Sequence, residues 1–255
     1  MTGNKYNKLA GKHVLVIGGT SGIGYAVAES SIENGARVTV SSSRESSIKT
    51  TLESLSKSYP DAHISGYACD MSKASVEAEI ETLFQKVGTL DHIVFTAGDK
   101  LATMPFQDIT MEYFVKAGQL RFFAPFFVAK VGSRYLSPGP TSSITITGGG
   151  IAERPVKDWA VVGCYAAGLY GLVRSLALEL KPVRVNLVQP GGVETDLWKD
   201  MDPAKREALY KQWRETFPTG EVGQVDDVVE AYLWFMKDRN VTGRVAASDS
   251  GHSLI

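Results

Sequence analysis

A chain of 255 residues that is 44% hydrophobic holds enough apolar material for one large α/β core or two small ones. A formal net charge of −1 gives no electrostatic basis for binding nucleic acid or an anionic membrane, and no apolar run is read as long enough to span a bilayer. Cys69 and Cys164 have no metal-ligand spacing, so no metal is expected, and residues 1–12 are polar with no apolar signal core; both features suit a reduced, cytoplasmic protein.

In chain order, strand-type runs are expected over 13–17, 37–41, 63–68, 92–96, 143–147, 184–188 and 244–247. Helical patterns fill the gaps over 23–34, 45–58, 73–87, 111–135, 164–180, 203–216 and 226–237. Strands alternating with helices predict a doubly wound parallel sheet, here as a single α/β domain over residues 1–255 without internal repeats. The longest irregular pieces, 148–161 and 197–226, follow strands at their carboxyl ends, where open α/β sheets bind ligands. The second carries Trp198, Trp213 and Phe217 around a charged helix and reads either as a flap over an apolar pocket or as an insertion packed on its own aromatics.

The first strand runs into Gly18-Gly19-Thr20-Ser21-Gly22-Ile23-Gly24 and then a helix. That context turns a glycine spacing into a candidate phosphate cradle. Glycine allows close backbone approach, and a helix start offers free N–H groups at the positive end of its dipole. The second strand ends in Ser41-Ser42-Ser43-Arg44, with no acid to hold a ribose 2′-hydroxyl. Arg44 and its neighbouring hydroxyls, Ser43 included, suit a 2′-phosphate, so NADP(H) is expected over NAD(H). Asp70, followed by Met71, is a candidate acceptor for an adenine amino group, or a cap for a helix beginning near Ser72. Ala97-Gly98 and Pro190-Gly191-Gly192-Val193-Glu194-Thr195 are further turns where a backbone passes close to a flat ligand.

These motifs in this order, with Arg184-Val185-Asn186 and a closing Asp249-Ser250-Gly251, resemble the short-chain dehydrogenase/reductase family over nearly the whole chain. The resemblance implies a seven-stranded Rossmann sheet and an extended nicotinamide cofactor. It also implies carboxamide contacts from Val193 and Thr195, and homodimers or homotetramers through the fourth and fifth helices. Ile17 replaces the usual Thr, and Phe95-Thr96 an Asn pair.

Such enzymes carry an Asn-Ser-Tyr-Lys set that protonates the alkoxide formed on ketone reduction. Counted from the neighbouring motifs, those positions hold Arg121, Gly148, Val162 and Ala166, and 156–180 contains no Tyr-x-x-x-Lys. Three readings follow. The chain reduces a carbon that needs no proton at the reacting atom, such as an iminium; or it is a non-redox cyclase or isomerase that uses the bound nucleotide as a template; or it is a nucleotide-binding pseudoenzyme.

Arg121 and Asp158 are the candidate catalytic groups, with Gly148, Gly149, Trp159 and Trp198 as pocket residues. Arg121 is catalytic, or else a structural ion pair with Asp99 or Asp158; Asp158 is a counter-charge or acid, or else a solvated loop carboxylate. The Arg121-Phe-Phe helix and the Pro155-x-x-x-Trp159 loop resemble divergent fungal members lacking the set. Among these are the NADPH-dependent reductase/Diels–Alderases of indole alkaloid biosynthesis (malbrancheamide and paraherquamide type). In those the acid closely follows the proline; here Val156 follows Pro155, and the acid is Asp158.

Overall fold

Apolar strands line up in parallel in the computed structural model, which describes residues 5–255; the remaining expected N-terminal residues, 1–4, lie outside the described ones. The strands are β1 (His13–Ile17), β2 (Arg37–Ser42), β3 (Ile64–Ala68), β4 (His92–Phe95), β5 (Ser143–Thr147), β6 (Arg184–Pro190) and β7 (Val245–Ser248). They form one sheet in the order β3-β2-β1-β4-β5-β6-β7, with Val16 of β1 beside Val40 on one side and Val94 on the other. The helices are α1 (Gly22–Glu33), α2 (Glu45–Ser58), α3 (Val76–Val87), α4 (Met111–Gly118), α5 (Ala124–Gly132), α6 (Ala160–Glu179), α7 (Pro203–Thr216) and α8 (Val225–Lys237).

Alternate side chains of a strand point to opposite faces, and here both faces are apolar. Val14 and Val16 bury in a core with residues of α1, α2 and α8, while Leu15 and Ile17 bury in a second core with α3, α5 and α6. The strand order reverses between β1 and β4, so their following turns part and leave a crevice at the carboxyl edge. The Arg184-Val185-Asn186 run holds the far end of the sheet. The Arg184 guanidinium donates to the Phe235 and Met236 carbonyls at the end of α8, which have no helical donor left. Asn186 bridges the Val241 carbonyl and the Arg244 N–H, fixing the link into β7.

Three expectations are corrected. The helix expected over 111–135 is interrupted by a π turn at Gln119–Phe123, where the Ala124 N–H reaches five residues back to the Gln119 carbonyl. Pro125 supplies the reason, because it lacks the N–H that would satisfy the Arg121 carbonyl and its ring crowds that turn. The helix after β3 begins at Val76 with Ser75 at its N-cap, so Asp70 does not cap it. By length and composition the 20-residue α6 is apolar enough to cross a membrane, contrary to the expectation that no run is. Its Leu169, Val173 and Leu176 instead bury in the core with β5 and β6 residues, as a helix covering a parallel sheet must.

Candidate active site

At the end of β1 the chain turns through Gly18, whose φ of +89° lies in the left-handed region. A Cβ there would lie 2.5 Å from the Ala97 nitrogen, and one on Gly24 would lie 2.2 Å from the Gly18 carbonyl oxygen. The β1 turn, the start of α1 and the β4 turn therefore touch backbone to backbone. Thr96 closes the gap beneath them, its hydroxyl donating to the Ile17 carbonyl over 3.0 Å. Ser21 is the N-cap of α1, and its hydroxyl is not engaged in capping. The N–H groups of Gly22, Ile23 and Gly24 fall in the first turn, where no helical acceptor exists.

A cradle that no side chain could enter, facing the free end of a helix, fits a pyrophosphate. Beside it the Thr20 hydroxyl donates to that of Ser42 over 3.1 Å, and exposed Ser43 and Arg44 lead into α2, with Arg44 at its N-cap. Across the crevice, Thr195 stands 3.4 Å from where a Gly22 Cβ would lie. The segment from Pro190 to Thr195 is thereby drawn over the glycine turn, with Val193 buried and bridged to Gly223. Asp70 is tied locally, with Oδ1 accepting from the Ser72 hydroxyl (2.6 Å) and N–H (3.1 Å). Those bonds hold its pKa below the ordinary carboxylate value. Met71 is buried next to it, and Gly98 lies under Arg121, whose Nη2 would be 3.3 Å from a Cβ at that glycine.

Arg121 projects from the π turn. Its Nε donates to Asp99 Oδ1 over 3.0 Å, and its Nη2 donates to the Asp99 carbonyl. The Arg121 side chain is 24% exposed, and burial lowers its pKa from the free value while Asp99 pulls it back. Of the two partners considered for Arg121, Asp99 is the one that meets it; Asp158 does not. Asp158 is exposed on the loop after β5 with φ +67°, and its carbonyl accepts from the Met104 N–H over 3.0 Å. Trp159 follows as the N-cap of α6.

On α6 itself, Val162 and Ala166 are buried, and Tyr165 faces α4, where its hydroxyl donates to the Phe114 carbonyl over 3.0 Å. Its ring fills the space beside Gly118, whose Cβ would lie 2.4 Å from it. Gly148 lies under Leu187, and a Cβ on Gly149 would meet only the Ile151 side chain, at 3.9 Å. Trp198 donates to the Val193 carbonyl over 3.0 Å and meets Trp213 edge to face. Trp213 stacks on Phe217, which meets His252, so one aromatic ladder docks α7 on the sheet edge. Sequence reasoning missed the last rung; Gly251 just before it was the available signal.

The model of the SDR-like Rossmann domain matches residues 5–255. The chain is a short-chain dehydrogenase/reductase. This reductase family uses NAD(P)(H), and the match covers the whole described structure. The chain is 42% identical over 262 residues to the short-chain dehydrogenase/reductase fsr5 of Gibberella fujikuroi, covering 99% of this chain and 98% of that protein. It is 38% identical to the short-chain dehydrogenase/reductase malC of Malbranchea aurantiaca, with 96% of each covered. The solved structure of MalC reductase/Diels–Alderase superposes with a TM-score of 0.93 at 36% identity, covering 98% of this chain and 99% of that one. An NADPH-bound short-chain oxidoreductase from Pseudomonas aeruginosa, described as having an atypical catalytic centre, superposes at 0.83 with 26% identity over 94% and 96% of the two chains.

Proposed function

We propose that this short-chain dehydrogenase/reductase is an NADPH-dependent reductase of a cyclic imine or iminium, or a similarly activated intermediate, in fungal specialised metabolism. Residues 1–255 act as one NADP(H)-binding domain. When bound, NADP(H) supplies the hydride. Gly18, Gly22 and the start of α1 would hold its pyrophosphate, Ser43 and Arg44 its 2′-phosphate, Asp70 and Met71 its adenine end, and Ala97, Gly98 and the 190–195 turn its nicotinamide end.

The observation that carries the reading is the Arg121–Asp99 pair lying against Gly98, in a chain whose α6 carries Val162 and Ala166 at the positions where a Tyr–Lys proton relay is expected. An iminium carbon is already electron-deficient, so positioning replaces proton donation. Arg121, neutralised by Asp99, uses its remaining N–H donors to grip an oxygen of the substrate. Asp158 faces the cationic centre as a counter-charge. Superposition on a reductase/Diels–Alderase favours a second reading, in which the same pocket also templates a cycloaddition.

The deciding assay follows NADPH absorbance with 2-methyl-3,4-dihydroisoquinolinium and, separately, 1-tetralone. Oxidation with the iminium alone is expected; ketone turnover would reject a proton-free mechanism. Tight NADPH binding without reduction of either compound would move the assignment to the template reading.

Arg44→Ala is expected to weaken NADPH binding by about 10- to 100-fold, the worth of one hydrogen bond to a charged group, and NADH binding by much less. Fluorescence titration with both nucleotides checks this, and equal losses would remove the 2′-phosphate role. A homo-oligomer is also proposed. Leu178 on α6 is 74% exposed, Met111 on α4 is 78% exposed, and a Cβ on Gly171 would meet open space, so α4 and α6 offer an apolar face that a second copy would cover. The two free cysteines accord with a cytoplasmic location.

A further inference from the structure

The C-terminal turn makes contacts that the cofactor site does not require. Asp249 ties it from both carboxylate oxygens, Oδ1 accepting from the Gly251 N–H and Oδ2 from the Ser253 N–H, each over 3.0 Å. Between these bonds Ser250 (φ +56°) and Gly251 (φ +78°) are both left-handed, a conformation that a serine adopts only when its surroundings impose it. The turn is wedged on two sides. On one side, a Cβ on Gly191 would lie 2.7 Å from the Asp249 Cα. On the other, a Cβ on Gly251 would lie 2.7 Å from the Pro218 ring, and the Thr219 N–H donates to the Ser250 carbonyl over 3.4 Å.

The turn ends by presenting His252. Its ring centroid is 5.1 Å from that of Phe217, the last aromatic of α7's ladder. Its Nδ1 lies 3.6 Å from where a Cβ on Gly150 would stand, and Gly150 is two residues past Gly148 at the end of β5. Burial and the nearby Arg154 depress the pKa of this imidazole, while Asp249 opposes them, so the ring packs uncharged at neutral pH. The tail of the chain thus reaches the Pro190-Gly191 turn, the base of α7 and the loop after β5 together.

We propose that residues 249–252 form a clasp that holds the α7 flap over the substrate side of the site, with His252 as its positioning residue. The ladder His252–Phe217–Trp213–Trp198 is the connection. Trp213 sits 2.8 Å from a Cβ on Gly192, and Trp198 ends on the Val193 carbonyl, so the flap has one anchor at the cofactor edge and one at the tail. Releasing the tail anchor would free the end of α7 while leaving the sheet intact. The inference goes beyond the reductase reading and holds whatever the substrate is.

The test is hydrogen exchange by mass spectrometry on the full chain and three variants. His252→Ala is expected to speed exchange of residues 203–217 by about tenfold or more, with β1 and β5 unchanged. His252→Phe, which keeps a ring against Phe217, is expected to restore protection. Gly251→Ala, which drives a methyl into Pro218, is expected to act like His252→Ala. Unchanged exchange of the flap in His252→Ala would overturn the clasp. So would a rise shared by β1 and β5, or a failure of His252→Phe to restore protection.

Discussion

Gly18→Ala is expected to lower NADPH affinity more than 100-fold and the melting temperature by roughly 10 °C. The added methyl meets the Ala97 nitrogen at 2.5 Å, a main-chain atom that no rotamer change can move. Overpacking of that kind costs about 1–3 kcal/mol, and the left-handed φ of +89° adds about 1–2 for a residue with a Cβ. For a domain of this size each kcal/mol shifts the melting temperature by about 2–4 °C. Binding loses more than stability does, because relief of the clash parts the β1 and β4 turns that make the cradle. Gly22→Ala separates the two effects. Its Cβ meets only Thr195, at 3.4 Å, so the φ of +50° is its main penalty and a folded protein with weakened binding is expected. Calorimetry and nucleotide titration read both quantities; wild-type affinity in Gly18→Ala would mean that the turn does not cradle phosphate.

The alternation of strand and helix was legible because it depends on local periodicity. Expected strand ends fall within two residues of those observed, as with 184–188 against Arg184–Pro190. The glycine turn was legible for the same reason, since strand, glycines and helix are contiguous. What escaped the sequence depends on contacts across the chain. The helix expected over 111–135 ran straight through Pro125, and the π turn that aims Arg121 at Asp99 appears only once the turn after β4 is brought alongside it. Asp70 satisfies Ser72 rather than the first turn of α3, a choice set by where the helix can start over the sheet. The contacts of His252 could not be seen along the chain, because Phe217 and Gly150 reach it only through the sheet edge.

Arg121→Ala is expected to reduce kcat by about 100-fold on a cyclic iminium that carries a ring oxygen substituent, such as 6,7-dimethoxy-2-methyl-3,4-dihydroisoquinolinium, the usual cost of losing a contact that positions the substrate. The protein should remain folded. Its partner Asp99 is 49% exposed, so the lost pair is worth about 1 kcal/mol at most after solvent screening, a shift of only a few degrees. Asp99→Asn discriminates further. It keeps an acceptor near Nε but leaves the guanidinium charge uncompensated, which repels a cationic substrate. KM should therefore rise, while kcat falls less than in Arg121→Ala. Asp158→Asn removes a more solvated charge; at water-like screening that is worth about 1 kcal/mol, or a fivefold fall in kcat/KM. Unchanged turnover in Asp158→Asn would eliminate the counter-charge role without touching that of Arg121. Global unfolding of Arg121→Ala, detected by loss of the cooperative melting transition, would instead identify the Arg121–Asp99 pair as a strut between the π turn and the β4 loop. The chemistry would then have to come from the shape of the pocket and the bound nucleotide alone.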